Sequence, residues 1–191
     1  MQNTPKTISR RTVASGLAWS VPAVATVAAA PAFAASPCVC PEVTVRGEAV
    51  KHPGQNKIGT EQAYGFDIRV TNPTSYIVQV SPGTATVDFE NFSERSGVVL
   101  LFDKSICQAD ATRLQAGDSK LTLDPGASTE LYYVVNNTGN SANESGCITS
   151  TLVVTLLNAD GTPVDQDDKC AASCQTVLVP QTCFDETPPT C

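Results

Sequence analysis

From residue 43 onward the chain alternates between apolar and polar positions. Val43 and Val45 flank Thr44, with Arg46 next; Phe66, Ile68 and Val70 interleave with Asp67, Arg69 and Thr71; Tyr76, Val78 and Val80 repeat the pattern, and Ala85, Val87 and Phe89 resume it. A period of two puts every second side chain on one face, as in a strand with one side buried. The longest such run, residues 148–157, sets Ile148, Ser150, Leu152, Val154 and Leu156 against Thr149, Thr151, Val153, Thr155 and Leu157. Residues 98–102, VVLLF, are apolar throughout and too short for a helix, which predicts a strand covered on both faces. Residues 129–135 and 175–179 complete the set.

The breaks between these runs are turn residues. His52-Pro53-Gly54 ends the first strand and Asn72-Pro73 the second, since proline cannot donate to a ladder. Pro82-Gly83 reads as a turn joining residues 76–80 and 85–89 in a hairpin. Asp124-Pro125-Gly126 suits a type II turn, with proline at its second position and glycine at its third. Residues 136–146, NNTGNSANESG, carry no apolar side chain larger than alanine and predict a solvated loop, and Asp160-Gly161 predicts another turn. Only residues 108–118 have modest helical character, one or two turns at most, and the expectation there is a loop with no more than a turn of helix. The expectation is an all-β chain: an antiparallel β-sandwich of about seven to nine strands.

The first 35 residues follow a different rule. Arg10-Arg11 precedes a long uncharged stretch, rich in alanine and interrupted by Pro22 and Pro31, that ends in Ala32-Phe33-Ala34. That is the layout of an export signal, disordered or helical, cleaved after Ala34, and it is too poor in large apolar residues for a stable membrane span. Ser9-Arg10-Arg11-Thr12-Val13 resembles the twin-arginine motif, and the segment as a whole is similar to signals of secreted surface proteins of actinobacteria. Residues 13–15 are Val-Ala-Ser where that motif usually has Phe, Leu and Lys, so the general secretory route stays open. The resemblance implies contact with the export machinery, a transient passage through the membrane, and a secreted or cell-surface location. Short phrases such as Val70-Thr71-Asn72-Pro73 and Leu123-Asp124-Pro125-Gly126-Ala127-Ser128 are similar to those of immunoglobulin-like modules in bacterial surface proteins. The domain reading is therefore a signal at 1–34, an immunoglobulin-like sandwich at 35–180, and a Cys- and Pro-rich tail at 181–191.

Charge and cysteines sharpen this picture. Without Lys6, Arg10 and Arg11, nine basic residues remain against 19 acidic ones, a net charge of −10, the wrong sign for nucleic acid or an anionic bilayer. All eight cysteines, Cys38, Cys40, Cys107, Cys147, Cys170, Cys174, Cys183 and Cys191, follow the signal, and an even number in an exported chain predicts disulfides. Cys107 and Cys147 flank the middle of the sandwich and form the first candidate pair. Cys38 and Cys40 fall on one side of an extended strand, so each is expected to pair with a tail cysteine rather than with the other. Cys170 and Cys174 are candidates for a local bridge.

Few residues suggest chemistry. His52 is the sole histidine, and beside Pro53-Gly54 it reads as a solvated turn residue, which leaves no catalytic triad. With one histidine and no methionine after Met1, copper and haem sites lack ligands, and no cofactor is expected. Asp160, Asp165, Asp167 and Asp168 crowd one segment and are the candidate calcium ligands, with an ordinary acidic loop as the plainer reading. The functional expectation is a non-catalytic, disulfide-stabilised surface module with a structural or adhesive role toward an unknown extracellular component. An exported hydrolase working through paired carboxylates is the alternative.

Overall fold

A computed structural model describes residues 38–55, 59–139, 144–186 and 190, with a compact unit beginning at Cys38. The export motif at Arg10 and Arg11 and the cleavage point after Ala34 lie outside the described residues. Eight strands run in chain order: β1 Glu42–Gln55, β2 Glu61–Thr71, β3 Ile77–Phe89, β4 Arg95–Phe102, β5 Thr122–Leu123, β6 Ser128–Asn136, β7 Gly146–Leu157 and β8 Thr176–Phe184. One short helix, α1 Lys169–Cys174, and a single 3-10 turn, Ser119–Leu121, complete the described elements. All named strand pairs are antiparallel, in the order β1-β2-β6-β4-β3-β7-β8 with β5 beside β3.

This order folds into two layers because β4 changes partner along its length. Its first residues pair with β3, Gly97 opposite Ala85, and its last pair with β6, Leu101 opposite Tyr133. One layer is thus β1-β2-β6-β4 and the other β3-β7-β8 with β5, which makes an immunoglobulin-like sandwich. The inner faces supply one core. Phe66, Ile68 and Val70 of β2, Leu131 and Tyr133 of β6, Val78, Val80 and Val87 of β3, and Ile148 and Leu152 of β7 are all almost fully buried. Each large apolar side chain so buried contributes about 1.5–3 kcal/mol of transfer free energy. The alternation read from β2 and β7 therefore holds position by position.

Asn72 ties the end of β2 to the loop before β6. Its side-chain amide donates to the carbonyls of Tyr76 at 2.8 Å and Leu123 at 3.0 Å, and its Oδ1 accepts from the backbone N–H of Thr74 at 3.0 Å. The Asp124-Pro125-Gly126 turn forms as expected, with Ala127 N–H donating to Asp124 O at 3.0 Å and Gly126 at a φ of 77°.

Several local expectations fail. Pro82-Gly83 is not a hairpin turn: β3 runs straight through it as a bulge, pairing with β7 on both sides, from Ile77–Leu157 to Phe89–Gly146. Glycine is needed there because a Cβ on Gly83 would lie 2.5 Å from the carbonyl oxygen of Thr151. Residues 108–118 form the expected loop, and the described helix is instead α1, started by Asp168, whose side chain accepts from the N–H groups of Cys170 and Ala171. β1 continues past His52 to Gln55, and β8 continues to Phe184, four residues into the segment read as tail. The stretch 136–146 is not wholly solvated, since Thr138 and Glu144 are buried.

Candidate functional site

Three places gather polar groups, and the first is on the outer face of the β1-β2-β6-β4 layer. Tyr132 and Val134 of β6 point away from the main core there, yet are buried with Leu100, Phe102, Ala63 and Ile106 in a second small cluster. Residues 103–114 form this cover: Asp103 N–H donates to Thr112 O at 3.1 Å and Leu114 N–H to Leu101 O at 2.8 Å, which bends the segment back on β4 and brings Ile106 over the sheet. Tyr132 lies across Gly65, where a Cβ would sit 2.5 Å from its ring. The phenol thereby reaches His52, sharing a 3.0 Å hydrogen bond with Nε2.

His52 is thus 4 % exposed, not a solvated turn residue, and burial pulls its pKa down to about 4. Burial likewise pushes the Tyr132 phenol up to about 12. Next to His52, Lys51 is 5 % exposed and its pKa is lowered by burial. Farther along the same face, Glu130 Oε1 bridges Arg46 at 3.2 Å and Arg69 at 3.1 Å, and Asp67 has its pKa raised by burial and by Glu130. The histidine that sequence reasoning dismissed is therefore part of a packed polar cluster. It stays neutral at physiological pH.

At one end of the sandwich, Asp88, Glu90, Ser145, Cys147, Cys183 and Asp185 line an open depression of about 520 Å³. Glu90 accepts a hydrogen bond from the Ser145 hydroxyl. Beneath it, Glu144 is 4 % exposed and accepts from Asn91 N–H through Oε1, while its Oε2 and the Tyr64 hydroxyl have no hydrogen-bond partner among the described residues. Burial first, and then the Glu144 carboxylate, push the Tyr64 phenol up to about 12. Its ring is held by stacking on Phe184 at a centroid distance of 4.3 Å. The carboxylates rimming this depression, Asp88, Glu90 and Asp185, are solvent-exposed.

The third place is the junction of α1 with the start of the domain. Cys170 and Cys174 are four residues apart in the helix, hence on one face and about 6 Å apart along it. Cys38 and Cys40 are two residues apart just before β1, a similar span in non-helical chain. The two pairs join as Cys38–Cys170 and Cys40–Cys174, with Cα separations of 5.1 and 5.2 Å. A third bridge joins Cys147 to Cys183 across directly paired residues of β7 and β8. The expected Cys107–Cys147 bridge and the local Cys170–Cys174 bridge do not form, and Cys38 and Cys40 find helix cysteines rather than tail cysteines. Cys107 is itself disulfide-bonded, and no cysteine is free among the described residues. The matched spacings were the available signal for this clamp; its location depended on a helix that the sequence does not announce.

Three of the four candidate calcium ligands serve the backbone. Asp160 Oδ1 accepts from Thr162 N–H at 2.9 Å and its hydroxyl at 2.6 Å, Asp165 Oδ1 accepts from Asp167 N–H at 3.0 Å, and Asp168 caps α1, while Asp167 is exposed. Among the described residues no group of three or more His, Cys, Asp or Glu side chains is placed to hold a metal. A cleft of about 110 Å³ between β7 and α1, lined by residues including Val154, Leu156, Pro163 and Ala171, brings no ionisable group to a reacting centre.

The sequence matches no known protein family and no curated protein. Among solved structures, it is similar to the Northeast Structural Genomics Consortium target SoR45, at 9 % identity and a TM-score of 0.42, over 76 % of this chain and 86 % of that one. It is also similar to PapD-like domain 7 of human CEP192, at 10 % identity and a TM-score of 0.27, over 76 % and 85 %. The immunoglobulin-like assignment rests on the strand order and register above.

Proposed function

We propose that this protein is an exported, non-catalytic surface module of structural or adhesive type, working outside the cytoplasm toward another envelope or extracellular component. The observation that carries this reading is the cysteine pairing: three bridges between residues far apart in sequence, with no free thiol among the described residues, belong to an oxidising compartment. The twin-arginine-like segment supports the same location. A filled core supports the non-catalytic part, as do depressions whose carboxylates are exposed or already bonded. The carboxylate-hydrolase alternative would have to use Asp88, Glu90 and Asp185, which lie exposed on the rim of an open depression rather than facing each other across a deep cleft.

Cell fractionation combined with thiol labelling tests the reading. The protein is expected in the cell-surface or medium fraction, with no cysteine labelled before reduction. Recovery from cytosol with reactive thiols would overturn it.

A further inference from the structure

We propose that the Cys38–Cys170 and Cys40–Cys174 pair is a tension bypass, so that the domain transmits pulling force between its two ends without unfolding. The inference follows from where the bridges sit in the chain. Cys38 and Cys40 immediately precede β1, and their partners lie in α1, immediately before β8. Strands β1 to β7 are therefore all enclosed in a covalent loop whose mouth is closed twice. Between Cys38 and Phe184, load has a path across a sulfur bridge into α1 and along β8 that includes none of strands β1 to β7.

The lengths make this quantitative. From Cys38 to Phe184 the backbone runs 146 residue steps. Through Cys40–Cys174 it runs twelve, two before the bridge and ten after it. At about 3.5 Å per extended residue, the bridged path is limited to about 45 Å and the unbridged chain to about 510 Å. Most of the bridged path is β8, already extended as a strand, so little slack is left to draw out. The second bridge gives redundancy: with Cys40–Cys174 absent, the path through Cys38–Cys170 is fourteen steps, only two longer. Cys147–Cys183 plays a different part, linking β8 to β7 so that the loaded strand stays attached to its sheet.

This deepens the structural reading above and rests on it only for the source of load; the extensibility itself is set by the bridges and is tested independently of location or partner. The experiment is single-molecule stretching of the oxidised full chain between flanking reference domains, before and after addition of a reductant. Reduction is expected to add about 470 Å of releasable length, the difference of 134 steps. The Cys38→Ser, Cys170→Ser variant and the Cys40→Ser, Cys174→Ser variant should each extend as little as the wild type. The variant with all four serines should release well over ~100 Å while still oxidised. An oxidised wild type that lengthens by several hundred ångströms, a reductant that adds nothing, or a single-bridge variant that extends like the four-serine one would overturn the proposal. Because the reductant is applied to wild-type protein, the result does not depend on whether the four-serine variant folds.

Discussion

Acid should destabilise this protein through His52, by an amount that the structure sets. In the unfolded chain the imidazole titrates at its ordinary pKa of 6.5; in the folded protein burial lowers this to about 4. Between those values the unfolded chain binds a proton that the folded one refuses, so stability falls as the pH is lowered. His52 is fully compatible with the fold above about pH 6.5, and the penalty accumulates down to about pH 4. A separation of about 2.5 pKa units corresponds to about 3 kcal/mol, a large share of the stability of a typical domain. Of the groups around His52, Tyr132 titrates at about 12, outside this window, burial lowers the Lys51 pKa, and Asp67, with its raised pKa, acts in the opposite direction at the acid end. The assay is urea unfolding at pH 7, 6, 5 and 4 with the disulfides intact, on wild type and on His52→Gln, whose amide can still meet the Tyr132 hydroxyl. The gap between the two should widen against the wild type by about 3 kcal/mol from pH 7 to pH 4. Parallel curves, within about 0.5 kcal/mol, would mean that His52 is solvated and that the cover formed by residues 103–114 is misplaced.

Three further outcomes follow from single contacts. Gly65→Ala should cost about 1–3 kcal/mol in thermal or urea unfolding, because its methyl group meets the buried Tyr132 ring at 2.5 Å. Asn72→Ala should cost about 3 kcal/mol, since the fully buried Asn72 side chain serves the carbonyls of Tyr76 and Leu123 and the Thr74 N–H, which all lose that partner. The α1 clamp should be strongly non-additive. Either bridge closes a loop of more than 130 residues when alone, but once one is present the other closes only a small ring through residues 38–40 and 170–174. On the chain-entropy relation, removing one should cost about 2 kcal/mol and removing both about 7 kcal/mol, measured by urea unfolding of the serine pairs.

What could be read from sequence was whatever a local period or a local φ requirement dictates. The alternation in residues 148–157 names the buried face of β7 because a strand offers only two faces, and Pro125-Gly126 names a turn because Gly126 must reach a positive φ. Pro82-Gly83 carries the same kind of punctuation, yet there the tertiary setting wins: β7 continues to pair on both sides, and the glycine accommodates the Thr151 backbone rather than a chain reversal. His52 was misread for a related reason. Nothing near it in sequence says that residues 103–114, fifty positions away, fold over the outer sheet face and close it from water. Glu144 likewise sits in a stretch of small polar residues, and nothing local announces that it is buried and accepts from the N–H of Asn91, far away in sequence. The disulfide pairing depended on an α1 that is six residues long, shorter than any periodic signal can register.

The protein is a two-layer sandwich whose start is stitched to α1 and whose last two strands are stitched to each other. Proteolytic mapping of the unreduced protein by mass spectrometry tests this most directly. It should return linked peptides joining Cys38 to Cys170, Cys40 to Cys174 and Cys147 to Cys183. Peptides joining Cys107 to Cys147 or Cys170 to Cys174, or cysteines recovered as free thiols, would contradict it.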